Sequence, residues 1–386
     1  MQQSLARVLQ PATEQIVPDQ RNISLTLSAP AKLNLSLIVK PEVVQGKHLL
    51  DSVFTTLDLA DRLDFNYQPD SQPALRIKMD YAANLPALRL AQPKNIVYQA
   101  LRAFEDKFAC SLNGNLTIHV TKNIPSQAGL GGGSSDAAAV LIAMQQLLGI
   151  TVDAQELRLL AAKLGADVAF FLEGGCAQMG GFGDKFIKRL TLPELNIVLV
   201  KPRQGLSTAR VYKEFSLESE FRTNCDIIDQ ETELGFNNPL IDYSIESPPT
   251  SSIAESPLTG YSAESPHASY SAITPLSSID PLLELLGSSV LQNVSSEQPT
   301  TADKQATFTK DLAAVLTNNL TPAAVRLLPE IASLLSTLTE QAGIHKALLA
   351  GSGSTVFGLA ESREDAQKAA SLFSARGYWT AVCRTV

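Results

Sequence analysis

The sequence has few cysteines and histidines, and their placement argues against several kinds of site. The four cysteines, Cys110, Cys176, Cys225 and Cys383, lie far apart and form no CxxC pair. This spacing disfavours a disulfide framework and a zinc site, and it fits a reducing compartment. The four histidines are equally scattered, which disfavours a histidine-rich metal centre. We therefore expect no dedicated metal site in the chain.

Long apolar runs are also missing. The longest run, residues 137–150, is interrupted by Gln145 and Gln146. None approaches the ~20 apolar residues that a membrane span needs. Residues 1–20 are polar and lack the apolar core of a secretory signal. We expect a cytoplasmic protein with no membrane partner.

Basic residues are absent from one long segment. Residues 223–303 contain no Lys or Arg but 12 acidic residues. Of the 39 acidic residues in the chain, 27 therefore lie outside this segment, against 31 basic residues, a net charge of about +4. A mildly basic body suits an anionic small-molecule substrate. It lacks the basic stripe of a nucleic-acid-binding protein, so we expect no nucleic-acid partner.

Within the acidic segment, proline recurs every nine residues, at Pro248, Pro257, Pro266 and Pro275. This period is shorter than the repeats of about 20–50 residues that build solenoids. A composition rich in Ser, Pro and Glu cannot bury enough apolar surface to offset the entropy of ordering. We expect residues 226–305 to form a disordered insertion, which is either a spacer or a segment that binds an unknown partner.

Elsewhere the apolar periodicity alternates between that of strands and that of helices. Predicted strands include 23–27, 33–39, 53–59, 63–67, 75–79, 116–120, 196–201, 347–350, 355–359 and 380–386. Predicted helices include 95–108, 137–148, 154–164, 329–341 and 363–375. Mixed elements in this order indicate an α/β or α+β protein.

The segment with the most informative chemistry is rich in glycine and follows a predicted strand. We name residues 125–135 the glycine loop. Its glycines allow the backbone to approach a ligand closely, and its two serines can cap the following helix. Backbone N–H groups and the helix dipole would then form a phosphate site. A tight strand-to-helix turn without a ligand is the alternative. The residues concerned are Gly129, Gly131, Gly132, Gly133, Ser134 and Ser135.

Two further motifs contain ionisable side chains. Asp167 follows a predicted helix end and precedes an apolar run. A carboxylate there can act as a general base toward a hydroxyl or, alternatively, cap the next helix. Lys32 and Asn34 lie two residues apart and so share one face of a predicted strand. Lys32 could polarise a hydroxyl or keep Asp167 ionised, and exposure on an edge strand is the alternative.

Taken together and in this order, these motifs resemble the GHMP kinase superfamily. The resemblance covers about residues 25–225 and 308–386. The segments that carry it are Pro30–Leu35, Gly46–His48, Asp58–Asp61, Gly129–Ala138, Leu164–Val168 and Gly351–Gly358.

The resemblance implies an α+β fold with two domains, between which ATP and substrate meet. Residues 23–190 would form an N-terminal domain similar to the second domain of ribosomal protein S5. Residues 191–386 would form a ferredoxin-like C-terminal domain, interrupted by the insertion at 226–305. Residues 1–22 would be an N-terminal tail.

The resemblance also implies roles for individual positions. Lys32 and Asp167 match the catalytic pair of the superfamily, and Asn34 and His48 match positions near the acceptor substrate. The implied cofactors are ATP and Mg²⁺. The positions that match the nucleotide site are Pro125, Ala128, Gly129, Leu130, Gly131, Gly132, Gly133, Ser134, Ser135, Asn95 and Lys122.

Within the superfamily, the motifs at 30–35 and 46–61 indicate members that phosphorylate the 2-hydroxyl of a diphosphocytidyl-linked methylerythritol for isoprenoid precursor synthesis. The alternatives are a GHMP-type kinase with a homoserine or mevalonate-like acceptor, and a non-catalytic nucleotide or metabolite sensor. Three positions depart from the pattern, since Lys47, Ala169 and Asn319 stand where Tyr, Pro and Asp are common.

Overall fold

The computed structural model of the chain describes residues 22–69, 71–88, 91–217, 277–287 and 301–386. The strands are β1 Ile23–Val44, β2 Lys47–Pro69, β3 Ala74–Tyr81, β4 Gly114–Lys122, β5 Cys176–Gly180, β6 Lys185–Leu190, β7 Asn196–Lys201, β8 Thr317–Asn318, β9 Ile344–Leu349, β10 Val356–Ala360 and β11 Trp379–Arg384. The helices are α1 Ile96–Phe108, α2 Gly132–Leu148, α3 Ala154–Leu164, α4 Ala166–Glu173, α5 208–217, α6 Asp280–Gly287, α7 Thr301–Val315, α8 Thr321–Leu327, α9 Glu330–Thr339 and α10 Arg363–Ala375.

The larger sheet is built around one long antiparallel hairpin, β1 and β2. Its strand order is β3-β4-β2-β1-β8, and the β5–β6 hairpin joins β2 at its other end. The sequence predicts two short strands in place of each long one. The chain stays paired because β-bulges, at Pro30/Lys32 and Asn34/Ser36 in β1 for example, absorb the breaks in alternation. Helices α1 to α4 pack together on this sheet around a core that includes Phe54, Phe104 and Phe170.

The smaller sheet is antiparallel, with the order β11-β7-β10-β9. Helices α9 and α10 pack against it, and their apolar side chains bury Val198 and Val200 of β7. The opposite-facing residues of β7, Ile197 and Leu199, join a separate core with apolar residues of β1 and β2. Mixed helices and strands around two sheets agree with the α+β fold class that the resemblance implies.

Part of the segment expected to be disordered is helical. Helix α6 lies inside residues 226–305, and Ile279 and Leu282 are buried in the core shared by the two sheets. The first residues of α7 also fall in this range. The expectation was wrong here because it rested on the overall Ser- and Pro-rich composition of the segment. A short stretch within it has apolar residues at helical spacing (279, 282, 283 and 286). Residues 226–276 and 288–300, like the tail 1–21, lie outside the described residues.

No helix in the described ranges is both long enough and apolar enough to cross a membrane.

Candidate active site

One cavity of about 1060 Å³ lies where the glycine loop meets β1, β2, α4 and α5. Pockets for single small ligands are usually about 300–1,000 Å³, so the cavity lies at the upper end of that range. Most of the residues predicted from the sequence line it. They are Lys32, Asn34, His48, Pro125, Ala128, Gly129, Leu130, Gly131, Gly132, Gly133, Ser134 and Asp167.

The start of α2 differs from the sequence expectation. Gly131, in the left-handed region with φ 73°, is the N-cap, and no side chain caps the helix. Ser134 and Ser135 therefore lie inside the first turn, and the expectation that they cap the helix is wrong. The first backbone N–H groups of a helix have no intrahelical partner. Without a capping side chain they are available to an anion in the cavity, which is what a phosphate site requires.

The glycine loop is braced by the segment that follows β9. The Thr355 N–H donates to the carbonyl of Ala128 at 3.4 Å, and the Ser354 N–H donates to the carbonyl of Gln127 at 3.4 Å. On the other side, the Lys32 N–H of β1 donates to the carbonyl of Leu130 at 3.0 Å. These contacts fix the loop against both sheets.

Lys32 and Asn34 lie on one inward face of β1, as their spacing predicts. The Lys32 ammonium donates to Asn34 Oδ1 at 2.7 Å, and Asn34 Nδ2 donates to Ser52 Oγ at 3.0 Å. Lys32 is buried, with Nζ 4.8 Å from the centroid of the Phe54 ring. The alternative of an exposed edge-strand lysine is therefore wrong. These contacts hold the ammonium in one position at the cavity wall.

Asp167 provides the opposite charge. Its Oδ2 lies 3.5 Å from Lys32 Nζ, and its side chain is 31% exposed. Gly165 is the N-cap of α4, so Asp167 sits in the first turn and the capping alternative is wrong. An acidic residue in a first turn is favoured by the helix dipole. The N-terminal turns of α2 and α4 thus meet the same cavity.

The part of the cavity wall formed by β2, α5 and the β5–β6 turn is aromatic and basic. His48 Nδ1 lies 2.8 Å from the carbonyl of Lys40, and its Nε2 lies 2.6 Å from Ser216 Oγ. The His48 ring meets Phe215 edge-on, with centroids 5.4 Å apart. Burial raises the pKa of Tyr212 above its ordinary value, and the nearby Asp167 carboxylate adds to the rise. Tyr212 therefore stays neutral and presents a ring to the cavity.

Sequence reasoning missed three residues in this part of the wall. Phe182, Tyr212 and Lys213 all line the cavity. Lys47, which the sequence singles out only as a departure from the pattern, lies with Nζ 5.7 Å from the centroid of Phe182. Local sequence held no signal for them, because it does not indicate which side of α5 or of the β5–β6 turn meets the cavity.

Three predicted nucleotide residues do not line the cavity. Asn95 caps α1, with Oδ1 accepting from the Val97 N–H at 3.0 Å. Lys122 is buried and paired with two carboxylates beneath the glycine loop. Ser135 is buried, and its hydroxyl has no hydrogen-bond partner among the described residues. The structure therefore assigns none of the three a place at the wall.

Within the described ranges, no group of three or more His, Cys, Asp or Glu side chains is placed to hold a metal ion. Asp167 is the single carboxylate in the described part of the cavity wall.

Comparison with known proteins points to one family. The family models "GHMP kinases N terminal domain" and "GHMP kinases C terminal" match residues 95–175 and 307–378. A 4-diphosphocytidyl-2-C-methyl-D-erythritol kinase from Desulfitobacterium hafniense (strain Y51) is 30% identical over 359 residues, which cover 93% of this chain and 94% of that protein. The enzyme of that name from Polaromonas sp. (strain JS666 / ATCC BAA-500) is 42% identical over 198 residues, 50% of this chain and 62% of that protein.

Solved structures show the same fold. The crystal structure of a 4-(cytidine 5'-diphospho)-2C-methyl-D-erythritol kinase matches with a TM-score of 0.59 and 28% identity, over 93% of this chain and 98% of that one. A homoserine kinase from Cytophaga hutchinsonii ATCC 33406 matches with a TM-score of 0.57 and 17% identity, over 97% and 96%. At that identity the second likeness concerns the fold alone.

Proposed function

The chain belongs to the family of 4-diphosphocytidyl-2-C-methyl-D-erythritol kinases, and from this premise we propose that it transfers the γ-phosphoryl group of ATP to the 2-hydroxyl of 4-diphosphocytidyl-2-C-methyl-D-erythritol. The observation that carries the proposal is the Lys32–Asp167 pair, 3.5 Å apart in the same cavity as the glycine loop. A base beside a phosphate site is an arrangement suited to the phosphorylation of an alcohol.

In the proposed reaction the acceptor hydroxyl lies between Asp167 and the γ-phosphorus. Its oxygen attacks phosphorus, the bond from phosphorus to the β,γ-bridging oxygen breaks, and ADP leaves. Asp167 accepts the hydroxyl proton, and the Lys32 ammonium stabilises the alkoxide charge as it develops. The free N–H groups at the start of α2 hold the triphosphate. Positioning and electrostatics supply most of the catalysis in such a loose transition state.

Mg²⁺ fits this site as a companion of the nucleotide. It commonly keeps several waters and binds substrate phosphates, and the Asp167 carboxylate brings further negative charge to the same wall. Bound Mg²⁺ would neutralise part of the charge on the transferring phosphoryl group. We propose that it enters with ATP and would be held by the phosphates and water, which leaves Asp167 available to accept the hydroxyl proton.

The aromatic and basic part of the cavity wall supports a cytidine diphosphate-linked acceptor. The rings of Tyr212 and Phe182 offer flat apolar surface to a base, and Lys47 and Lys213 bring positive charge to the same wall. His48 is held by its two hydrogen bonds in a fixed orientation in this part of the wall. A planar base joined to a diphosphate matches both features.

Three further points concern the location of the enzyme, its domain boundary and its acidic insertion. We propose that the enzyme works in the cytoplasm on small molecules rather than nucleic acid. We place the boundary between its two domains near residue 190, between β6 and β7. For the part of the acidic insertion outside the described residues, we keep two alternatives, a spacer and the binding segment of an unknown partner.

The experiment is ADP release by the purified protein with ATP and Mg²⁺ across four acceptors: 4-diphosphocytidyl-2-C-methyl-D-erythritol, homoserine, mevalonate and galactose. Turnover with the first alone supports the proposal. Turnover with another alcohol would keep the kinase chemistry and discard the acceptor. Binding of ATP without turnover of any acceptor would favour the sensor alternative.

A further inference from the structure

A buried group of three charges lies directly beneath the glycine loop. Lys122, the last residue of β4, donates from Nζ to Asp61 of β2, and to Asp136 of α2 at 2.6 Å. All three side chains are buried. We name Asp61, Lys122 and Asp136 the charge triad. None of the three lines the cavity, so the mechanism described above does not use them.

The charge triad is tied to both ends of the glycine loop. Asp61 Oδ1 accepts the N–H groups of Asn123 at 2.6 Å and Ile124 at 2.8 Å, where the chain leaves β4 for the loop. Its Oδ2 would lie 3.4 Å from a Cβ placed on Gly132, the first residue of α2. At the far end, Asp136 belongs to the second turn of the same helix. One buried lysine therefore clamps the start of the loop to the helix that follows it.

The triad holds two acids and one base, so its net charge depends on one proton. Asp136 Oδ1 is buried and receives no hydrogen bond from any described residue, an arrangement that is costly for a charged carboxylate. Burial, together with the neighbouring Asp61, raises the pKa of Asp136 to about 7, although Lys122 opposes the rise. Burial lowers the pKa of Lys122, but Asp136 and Asp61 more than offset this effect, so the ammonium stays charged.

The charges that act on Asp136 come from two strands. Lys122 lies on β4 and Asp61 on β2. Helices α1 and α4, which also pack against α2, contribute apolar residues such as Val97 and Val168 to the core there. Among the described residues, Lys122 is the one cation that acts on the pKa of Asp136.

We propose that the charge triad is a positioning element of the nucleotide site, and that Asp136 takes up a proton from solvent when a triphosphate binds to the glycine loop. A triphosphate brings several negative charges to the opposite side of the loop. Negative charge nearby disfavours an ionised carboxylate, and linkage requires that protonation of Asp136 then strengthens triphosphate binding by the same factor. The inference rests on the nucleotide half of the proposed function.

The test is calorimetric titration of the full chain with Mg²⁺ and ATP, without acceptor, in buffers of different ionisation enthalpy. At about pH 7.5 we expect wild type to take up a fraction of a proton. Between about pH 6 and pH 8.5 its Kd for ATP should rise about three- to tenfold, since one pKa unit of coupling corresponds to a factor of ten. In Asp136→Asn the proton uptake should be absent and the Kd nearly constant over this range.

Asp106→Asn is the matched control, because it removes an exposed acid on α1 that lies outside the cavity wall and the triad. It should behave like wild type. Equal proton uptake in wild type and Asp136→Asn would overturn the inference, as would a wild-type Kd that does not change with pH. Should Asp136→Asn fail to fold, Asp136→Ser also removes the carboxyl group and takes its place. If the wild-type protein does not phosphorylate the proposed acceptor but shows these ATP-binding results, the proposed acceptor is wrong and this inference still holds.

Discussion

Gly129 packs so tightly against Ala350 that a Cβ built on Gly129 would lie 1.9 Å from the Ala350 carbonyl oxygen. Gly129 also has a positive φ of 75°, which residues other than glycine rarely adopt. The obstacle is backbone rather than a movable side chain. This contact joins the glycine loop to the residue that follows β9.

We predict that Gly129→Ala destabilises the protein by roughly 3 kcal/mol or more, since it adds a clash with backbone to a strained φ. Gly149→Ala is the matched control. Gly149 has a similar φ of 63°, but nothing lies within 4 Å of its added Cβ, so it should cost only about 1 kcal/mol. Urea unfolding measures both. Equal losses would show that the contact with Ala350 is unimportant.

We predict that Asp167→Asn and Lys32→Met each lower kcat by roughly 10²–10⁴, the usual scale for loss of acid–base assistance. Asn keeps the shape of Asp167 but cannot accept the hydroxyl proton. Met keeps much of the length of Lys32 but not its charge. Steady-state ADP release measures the effect, with Asp106→Asn as the control. Near-normal turnover in both variants would contradict the assigned roles.

We predict that Lys47→Tyr lowers KM for the diphosphocytidyl acceptor by about two- to tenfold, because an added ring beside Phe182 can stack on the base. Lys47→Met removes the charge without adding a ring and should not lower KM. Acceptor titration at saturating ATP separates the variants. A lower KM in both would show that the charge of Lys47, rather than the missing ring, governs affinity.

We predict that Asp136 makes stability depend on pH. Its folded-state pKa of about 7 lies above the ordinary value of 3.8, so the folded state binds more protons than the unfolded state between these values. The contribution of Asp136 to the free energy of unfolding therefore falls as pH rises through this window, by at most about 1.4 kcal/mol per unit. Asp136→Asn should gain stability relative to wild type as pH rises from about 4 to about 7, and the difference should level off at higher pH. Parallel urea unfolding series measure the difference, and a constant difference would contradict the prediction.

The sequence predicted those parts of the site that depend on local geometry. The two-residue period of a strand predicted that Lys32 and Asn34 share one face. The spacing of the glycines predicted a turn from a strand into a helix. Its cap was predicted wrongly because Gly131, in the left-handed region, ends the turn before either serine. Local patterns therefore gave the position of the helix but not its first residue.

Features that depend on distant pairing could not be predicted. Lys122 points toward Asp61 because β4 pairs with β2 in a particular register, with Thr121 opposite Arg62, and register is a tertiary property. The same applies to Tyr212, because the position of α5 at the cavity depends on tertiary packing rather than on local sequence. The resemblance implies a place for Lys122 near the nucleotide, whereas in the structure its ammonium pairs with Asp61 and Asp136 and does not line the cavity.

The β1–β2 hairpin runs through all three apolar cores of the described chain, contributing Leu27, Leu33 and Leu37 from β1 to one core each. Separating the two proposed domains near residue 190 would therefore leave both strands intact but expose the apolar faces that the hairpin buries against β7 and the helices after it. In a chimera that takes one domain from a relative, the whole hairpin must come from one of the two proteins. Its apolar side chains must then be repacked against the domain from the other protein. To change acceptor specificity, it is therefore better to exchange only α5 and the β5–β6 turn. Both line the cavity, and neither contributes to all three apolar cores.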